Sequence, residues 1–436
     1  MADEKPPSAF TRRTAKVLFF FFGIILFNYY SRFGATQPAI QYHFFLVLAV
    51  LTGLGLLLLP LRKLGEWRSF PFLALGMMLL LQISWRSPVT GRGFIYIWLG
   101  WSALFLTLFL LESGVPGRYF LVLIILLGVF EASYGLLQSL GGFDFIGDHY
   151  RGSGRLATGT LINRNHFAAA LNLSIPMALG ALYAIFLQKR QSDNYSLTEL
   201  TAQIWILLLG LSVLGLAIVL SLSRAGALTL LVTQSLMGVL LFISWDKKGG
   251  PGGKIFPMVT VALLLMVIIA GVGVGLNPLL ARFEAAASGW DTRTTLYGDT
   301  LRMIQDHPLV GVGPGMYRWK IPPYLTGGDG NYHHAHNDLL ENAAEWGLPA
   351  ALAFWAFVVW RFFCSIRHFL KTQDPWTKGL SLGCLGSIFS ILLHSLLDSN
   401  LQVPANWVLY CTILGLSFAK TRTRDEERST VDWTTQ

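Results

Sequence analysis

Three groups of residues in this sequence have side chains and spacings suited to chemistry. The densest is His333-His-Ala-His-Asn-Asp338. Imidazoles titrate near neutral pH and suit a general base. They also suit zinc, which would draw on His334, His336 and Asp338, although the spacing matches no established zinc pattern. A polar loop running into a helix cap would use the same residues. The second group is cationic. Arg224, in Ser221-Leu-Ser-Arg-Ala-Gly226, falls where one apolar run ends and the next begins. It either snorkels to the interface or binds a phosphate or carboxylate with its planar fork. Arg293, in Asp291-Thr-Arg-Thr-Thr-Leu-Tyr297, is expected in the first turn of a helix over 291–306. There it could share an anion with free backbone N–H groups, or simply pair with Asp291 or Glu284.

The third group is scattered. Asn163-Arg164-Asn165-His166 forms a polar knot at the mouth of an apolar run, and we expect Arg164, Asn165 and His166 to line a substrate site. His394 and Asp398 are four apart near the end of another run, a spacing that faces one way on a helix. Ionisable groups at membrane depth are functional candidates or buried structural pairs. Glu131 lies inside an apolar run and needs a partner, for which an outer arginine is one option. Gly311, Gly313 and Gly315 could present N–H groups to a phosphate, but no strand precedes them and no Walker lysine follows.

The elements that must position these residues are membrane helices. The chain of 436 residues is 53% hydrophobic and only 13% charged, far below the quarter typical of soluble proteins. Apolar runs of spanning length recur throughout. We expect an all-α polytopic membrane protein of about twelve spans, centred near residues 24, 52, 77, 102, 128, 176, 212, 235, 265, 356, 388 and 411. The first run follows Arg12, Arg13 and Lys16 like a signal peptide, yet lacks a small-residue cleavage site and reads as a retained helix. Cys364, Cys384 and Cys411 sit in or beside apolar runs and suggest no disulfide framework.

Basic connections after alternate spans put both termini in the cytoplasm by the positive-inside rule, with ten of the eleven lysines inside and only Lys320 outside. The expected divisions are a cytoplasmic N-terminus (1–16), nine spans (17–275), a helical periplasmic loop domain between spans nine and ten (276–346), three spans (347–419) and a cytoplasmic tail (420–436). Within the loop domain a second helix should start at Asn337-Asp338, whose side chains suit an N-cap, and close at Gly347. From Asn277 to Trp346 five basic residues face eight acidic ones, so the loop is no general trap for polyanions and no nucleic-acid partner is expected.

These pieces together resemble the O-antigen ligase and polymerase family of bacterial membrane glycosyltransferases. The matching stretches are Ser221-Leu-Ser-Arg-Ala-Gly226, Thr292-Arg293, His307-Pro-Leu-Val-Gly-Val-Gly-Pro-Gly315, His336-Asn-Asp-Leu-Leu-Glu-Asn-Ala-Ala-Glu-Trp-Gly-Leu-Pro349 and His394-Ser-Leu-Leu-Asp398. The resemblance implies a GT-C-like, metal-independent, inverting transferase without cofactors. Its donor would be a glycan on undecaprenyl pyrophosphate, and its acceptor a glycan or the lipid A core. Arg224 and Arg293 would hold the pyrophosphate and His336 would be the essential histidine. Arg164, Asn165, His166, His334, Asn337, Asp338, His394, Asp398 and Glu131 would complete the substrate site. The competing reading is a multi-spanning transporter or flippase. It fits less well because the polar residues gather at one face and the halves show no repeat.

Overall fold

A computed structural model of the protein describes residues 9–31, 43, 46–54, 88–146, 149–152, 154–190, 201–244, 286–326 and 332–419. The spans expected near 77 and 265, most of the lysine-bearing loops and the C-terminal tail lie outside the described residues. The described chain is α1 (Ala9–Ser31), α2 (Pro88–Glu112), α3 (Gly117–Gly141), β1 (Phe145–Ile146), β2 (His149–Tyr150), α4 (Arg164–Arg190), α5 (Thr201–Leu220) and α6 (Arg224–Ile243), followed by α7 (Ala286–Asp306), α8 (Tyr317–Lys320), α9 (Asp338–Trp346), α10 (Leu348–Lys371), α11 (Pro375–His394) and α12 (Pro404–Leu416). Among the described residues seven helices (α2 to α6, α10 and α11) are long and apolar enough to cross a membrane. The protein is therefore a mostly helical, multi-pass membrane protein. The all-α class holds, and the segment after α3 adds only a small antiparallel hairpin of β1 and β2.

Helix starts follow from local chemistry. Ser223 caps α6 by accepting the Gly226 N–H, and Asp374 caps α11 by accepting that of Thr377. Pro349, Pro375 and Pro404 stand in the first turns of α10, α11 and α12, where a missing N–H costs nothing. The central seam is α4 against α11. Gly180 and Gly379 meet so closely that a Cβ on either would lie 2.2 Å from the other's carbonyl oxygen. Small residues permit this backbone approach, which is how helices associate where lipid removes the hydrophobic incentive. Pro176 inside α4 has no N–H to offer the Asn172 carbonyl; Ser390 Oγ of α11 donates to that oxygen instead, at 3.1 Å.

The segment between α3 and α4 is fastened from within. Arg151, its side chain buried, bonds Asp144 at 2.8 Å, Gln138 Oε1 at 2.9 Å and the Leu156 carbonyl at 2.8 Å. In the same way, α7, α8 and α9 share a small core of Leu296, Met303, Ile304, Tyr317, Ile321, Ala343 and Ala344. The loop from His307 to Met316 clasps the end of α9. Val312 N donates to the Ala344 carbonyl at 2.8 Å, Gly313 N to that of Glu345 at 2.9 Å, and Leu348 N to that of Pro308 at 2.8 Å. Gly311, at φ +70°, lies against the Glu345 and Gly347 backbone with no room for a Cβ.

Candidate active site

Most of the residues singled out by sequence converge where the N-termini of α4, α6, α9, α10 and α12 meet the C-termini of α5 and α11. Lys189, Lys371 and Lys378 lie at the opposite ends of their helices, while Lys320 lies on the site's side. At the centre is Asp398, in the turn that follows α11 and almost fully buried. Its Oδ1 faces His336 Nδ1 at 2.8 Å and accepts the Ser399 N–H at 2.9 Å. Its Oδ2 accepts a short hydrogen bond from Asn165 Nδ2 at the start of α4. Asn165 Oδ1 in turn accepts from Ser223 Oγ at 2.7 Å, and Ser223 is the cap immediately before Arg224. One hydrogen-bonded chain thus joins four motif regions that are far apart in sequence, the last of them carrying Arg224.

The geometry has a directional consequence. An ionised carboxylate only accepts, so the proton between Asp398 and His336 sits on Nδ1, and in the neutral ring the free lone pair is therefore on Nε2. The His336 side chain is 38% exposed while that of Asp398 is 2% exposed, so the basic nitrogen belongs to the accessible partner. Burial pushes Asp398 up, but the His336 bond and the charges of His166, His336 and Arg293 prevail. They hold its carboxyl well below the usual carboxylate range. His336 adopts a left-handed backbone at φ +52°, one of two non-glycine residues among those described to do so; the other is Leu222, two residues before Arg224. Tyr297 O–H donates to the His336 carbonyl at 3.0 Å and helps fix that turn. Asn337 then caps α9, accepting from Leu339 N at 2.9 Å and Leu340 N at 3.1 Å, as its side chain predicts.

Several expectations change. Arg293 is not in a first turn: α7 begins at Ala286, two turns earlier, so no free helix-end N–H groups surround it. Its Nη1 donates to the Leu397 carbonyl at 2.9 Å, which ties α7 to the turn bearing Asp398. It is Arg224 that opens a helix. His394 and Asp398 do not share a helix face, because α11 ends at His394. Asp398 turns instead to His336, and among the described residues neither ring nitrogen of fully buried His394 has a hydrogen-bond partner. Among the described residues Glu131 meets no arginine; it accepts from Thr160 N at 2.9 Å and Thr160 Oγ1 at 2.6 Å and pins the strand-bearing segment to α3. The loop of Gly311, Gly313 and Gly315 is no phosphate cradle, since the N–H groups of Gly311 and Gly313 bond His307 and Glu345 carbonyls and that of Gly315 faces the Glu345 carboxylate.

His334 and Asp338 stand on the far side of His336. His334 Nδ1 faces Glu341 Oε1 at 2.8 Å, and Glu341 also accepts from Ala335 N and Ser399 Oγ. Burial works against the His334 charge, but the Glu341 carboxylate prevails and raises it to about 9. Asp338 accepts from Ser395 Oγ at 2.8 Å and Asn400 N at 3.0 Å, locking α9 to the turn after α11. The two imidazoles are thus committed through Nδ1 to different carboxylates rather than converging on one point. His166 and Arg164 open α4 beside Asn165. His166 lies within electrostatic reach of Asp398, His334 and His336, and its carbonyl accepts from Asn406 Nδ2 at 3.0 Å. Sequence reasoning passed over Ser223, Tyr297, Glu341 and Ser399. Tyr297 is four residues after Arg293 on one helix face, and a serine just before a helix-opening residue is a cap signal; both were available.

Compared with known families, residues 205–355 match the family model described as O-antigen ligase. No curated protein matches the chain. The matched stretch includes Arg224, Arg293 and His336, while Asn165 and Asp398 lie on either side of it.

Proposed function

We infer, from the O-antigen ligase region that the chain carries at residues 205–355, that this membrane protein is a GT-C-like glycosyltransferase of about twelve spans acting on a lipid-linked glycan. In this reading the donor is a glycan on undecaprenyl pyrophosphate and the acceptor is a hydroxyl of a second glycan or of the lipid A core. The reaction takes place at the periplasmic face of the bacterial inner membrane, with both termini cytoplasmic. The observation that carries it is the His336–Asp398 pair, hydrogen-bonded through Asn165 to Ser223, the residue before Arg224.

The chemistry follows from that arrangement. His336 Nε2 takes the proton of the acceptor hydroxyl as its oxygen bonds the anomeric carbon, and Asp398 stabilises the imidazolium that forms. The bond from that carbon to the pyrophosphate breaks, inverting the centre and leaving undecaprenyl pyrophosphate with additional negative charge. Arg224 and Arg293 stabilise that charge in the role a divalent cation plays elsewhere. Arg164, His166, His334, Asn337, Asp338 and His394 surround these groups and shape the site. Glu131 is better read as structural, given its bonds to Thr160.

The test is release of undecaprenyl pyrophosphate from a lipid-linked glycan by purified protein supplied with candidate acceptors. Arg224→Ala, Arg293→Ala and His336→Asn should each abolish transfer while the protein still inserts and purifies normally. EDTA should leave the wild-type rate unchanged. Near-wild-type transfer by a variant removes that residue from the mechanism. Movement of the lipid-linked glycan across the bilayer without release of the carrier would favour a flippase instead.

A further inference from the structure

We propose that Asn165 is a positioning residue rather than a substrate contact, its amide coupling the start of α6, where Arg224 sits, to the His336–Asp398 pair. Its functional meaning rests on the transferase reading above. The two ends of the amide are distinguishable by their partners. Asp398 only accepts, so the group facing Oδ2 is the NH2. On the other side Ser223 Oγ lies 2.7 Å from the amide oxygen and already accepts the Gly226 N–H at 3.1 Å, so its own proton points at Asn165. The chain therefore runs in one sense. Gly226 N–H donates to Ser223 Oγ and Ser223 O–H to Asn165 Oδ1; Asn165 Nδ2–H donates to Asp398, which also takes the Nδ1–H of His336.

The position suits this task. Asn165 is itself fixed, because its N–H donates to Asn163 Oδ1 at 2.8 Å. A planar amide offers a donor and an acceptor held rigidly apart, which a hydroxyl does not. The Asp398 carboxylate is faced by His166 from α4, His394 at the end of α11, Arg293 and Tyr297 from α7, and His336. Its charge is thus supported from several sides, and what Asn165 adds is orientation. A displacement of the α6 start when Arg224 takes up an anion passes through the amide into the carboxylate that aims the base.

Two readouts test this on the purified full-length protein in nanodiscs. The first needs no substrate: the rate at which diethyl pyrocarbonate modifies His336, followed by peptide mass spectrometry across the neutral pH range. Asn165→Asp sets a second carboxyl against Asp398, and its added negative charge should raise the midpoint of His336 reactivity by about one pH unit. The second is transfer kinetics. Asn165→Ala should lower kcat about 10²-fold through misaligned groups while the donor KM stays within about twofold. An unchanged His336 midpoint in Asn165→Asp overturns the coupling. So does a raised donor KM at unchanged kcat in Asn165→Ala, which makes Asn165 a substrate contact. A shifted midpoint in a protein that transfers nothing upholds the coupling and removes the transferase reading instead.

Discussion

At the scale of single residues, the environment of each histidine assigns it a different task. His336 has an accessible face and a buried carboxylate behind it, the arrangement a general base requires. Asp398→Asn keeps the shape but removes the charge that fixes the tautomer and stabilises the imidazolium. We expect transfer to fall by about 10² to 10⁴, the span attributed to general base catalysis, with little change in donor KM. His334 behaves as a structural cation. Its folded pKa of about 9 lies above the ordinary value, so its bond to Glu341 stabilises the fold fully below the ordinary histidine range, and that stabilisation disappears as pH rises through about 9. The Tm gap between wild type and His334→Gln should therefore be widest below the ordinary histidine range, shrink as pH rises above it, and close as pH passes about 9. The left-handed backbone at His336 also decides which substitution isolates the chemistry. Asn tolerates that conformation better than Ala, so His336→Asn should lose activity with less loss of stability than His336→Ala, a difference visible in thermal melts.

At the scale of elements, close approach and capping dominate. Gly379→Val would drive a side chain into the Gly180 carbonyl and force α4 and α11 apart, and overpacking of this kind costs about 1–3 kcal/mol or more. A lowered Tm in detergent, or failure to purify as a monodisperse species, would register it; an unchanged Tm would mean that the seam can yield. Here the sequence was most readable. Apolar length located the described spans, and Asn337 and Gly347 marked the ends of α9, because both signals are local. What it missed was non-local. α7 starts at Ala286, ahead of the polar Asp291, and the bonds of Glu131 to Thr160 depend on how a loop folds back. The pairing of Asp398 with His336 rather than His394 follows from where α11 stops, which no periodicity reveals.

At the scale of the molecule, the site lies at one end of the helix bundle, and the lysines of α4, α10 and α11 lie at the other. Under the topology proposed here, a membrane-impermeant maleimide should label Trp319→Cys in intact spheroplasts and Lys371→Cys only after permeabilisation; the reverse pattern would invert the orientation. The parts of the site are also far apart along the chain. Asn165 and Asp398 are separated by 233 residues, and Arg293 and Leu397 by 104. During biosynthesis Asn165, Ser223 and Arg224 therefore enter the membrane long before the turn after α11 exists, and at about 5–20 residues per second the delay is many seconds. Throughout that interval the base has no orienting carboxylate, so a nascent chain cannot begin transfer early. The same arithmetic suggests a way to build the protein from parts. A fragment ending in the 191–200 connection, co-expressed with the remainder, would carry Asn165 on one piece and Ser223 and Asp398 on the other, so recovered activity would report the docking of α4 onto α11 in the bilayer.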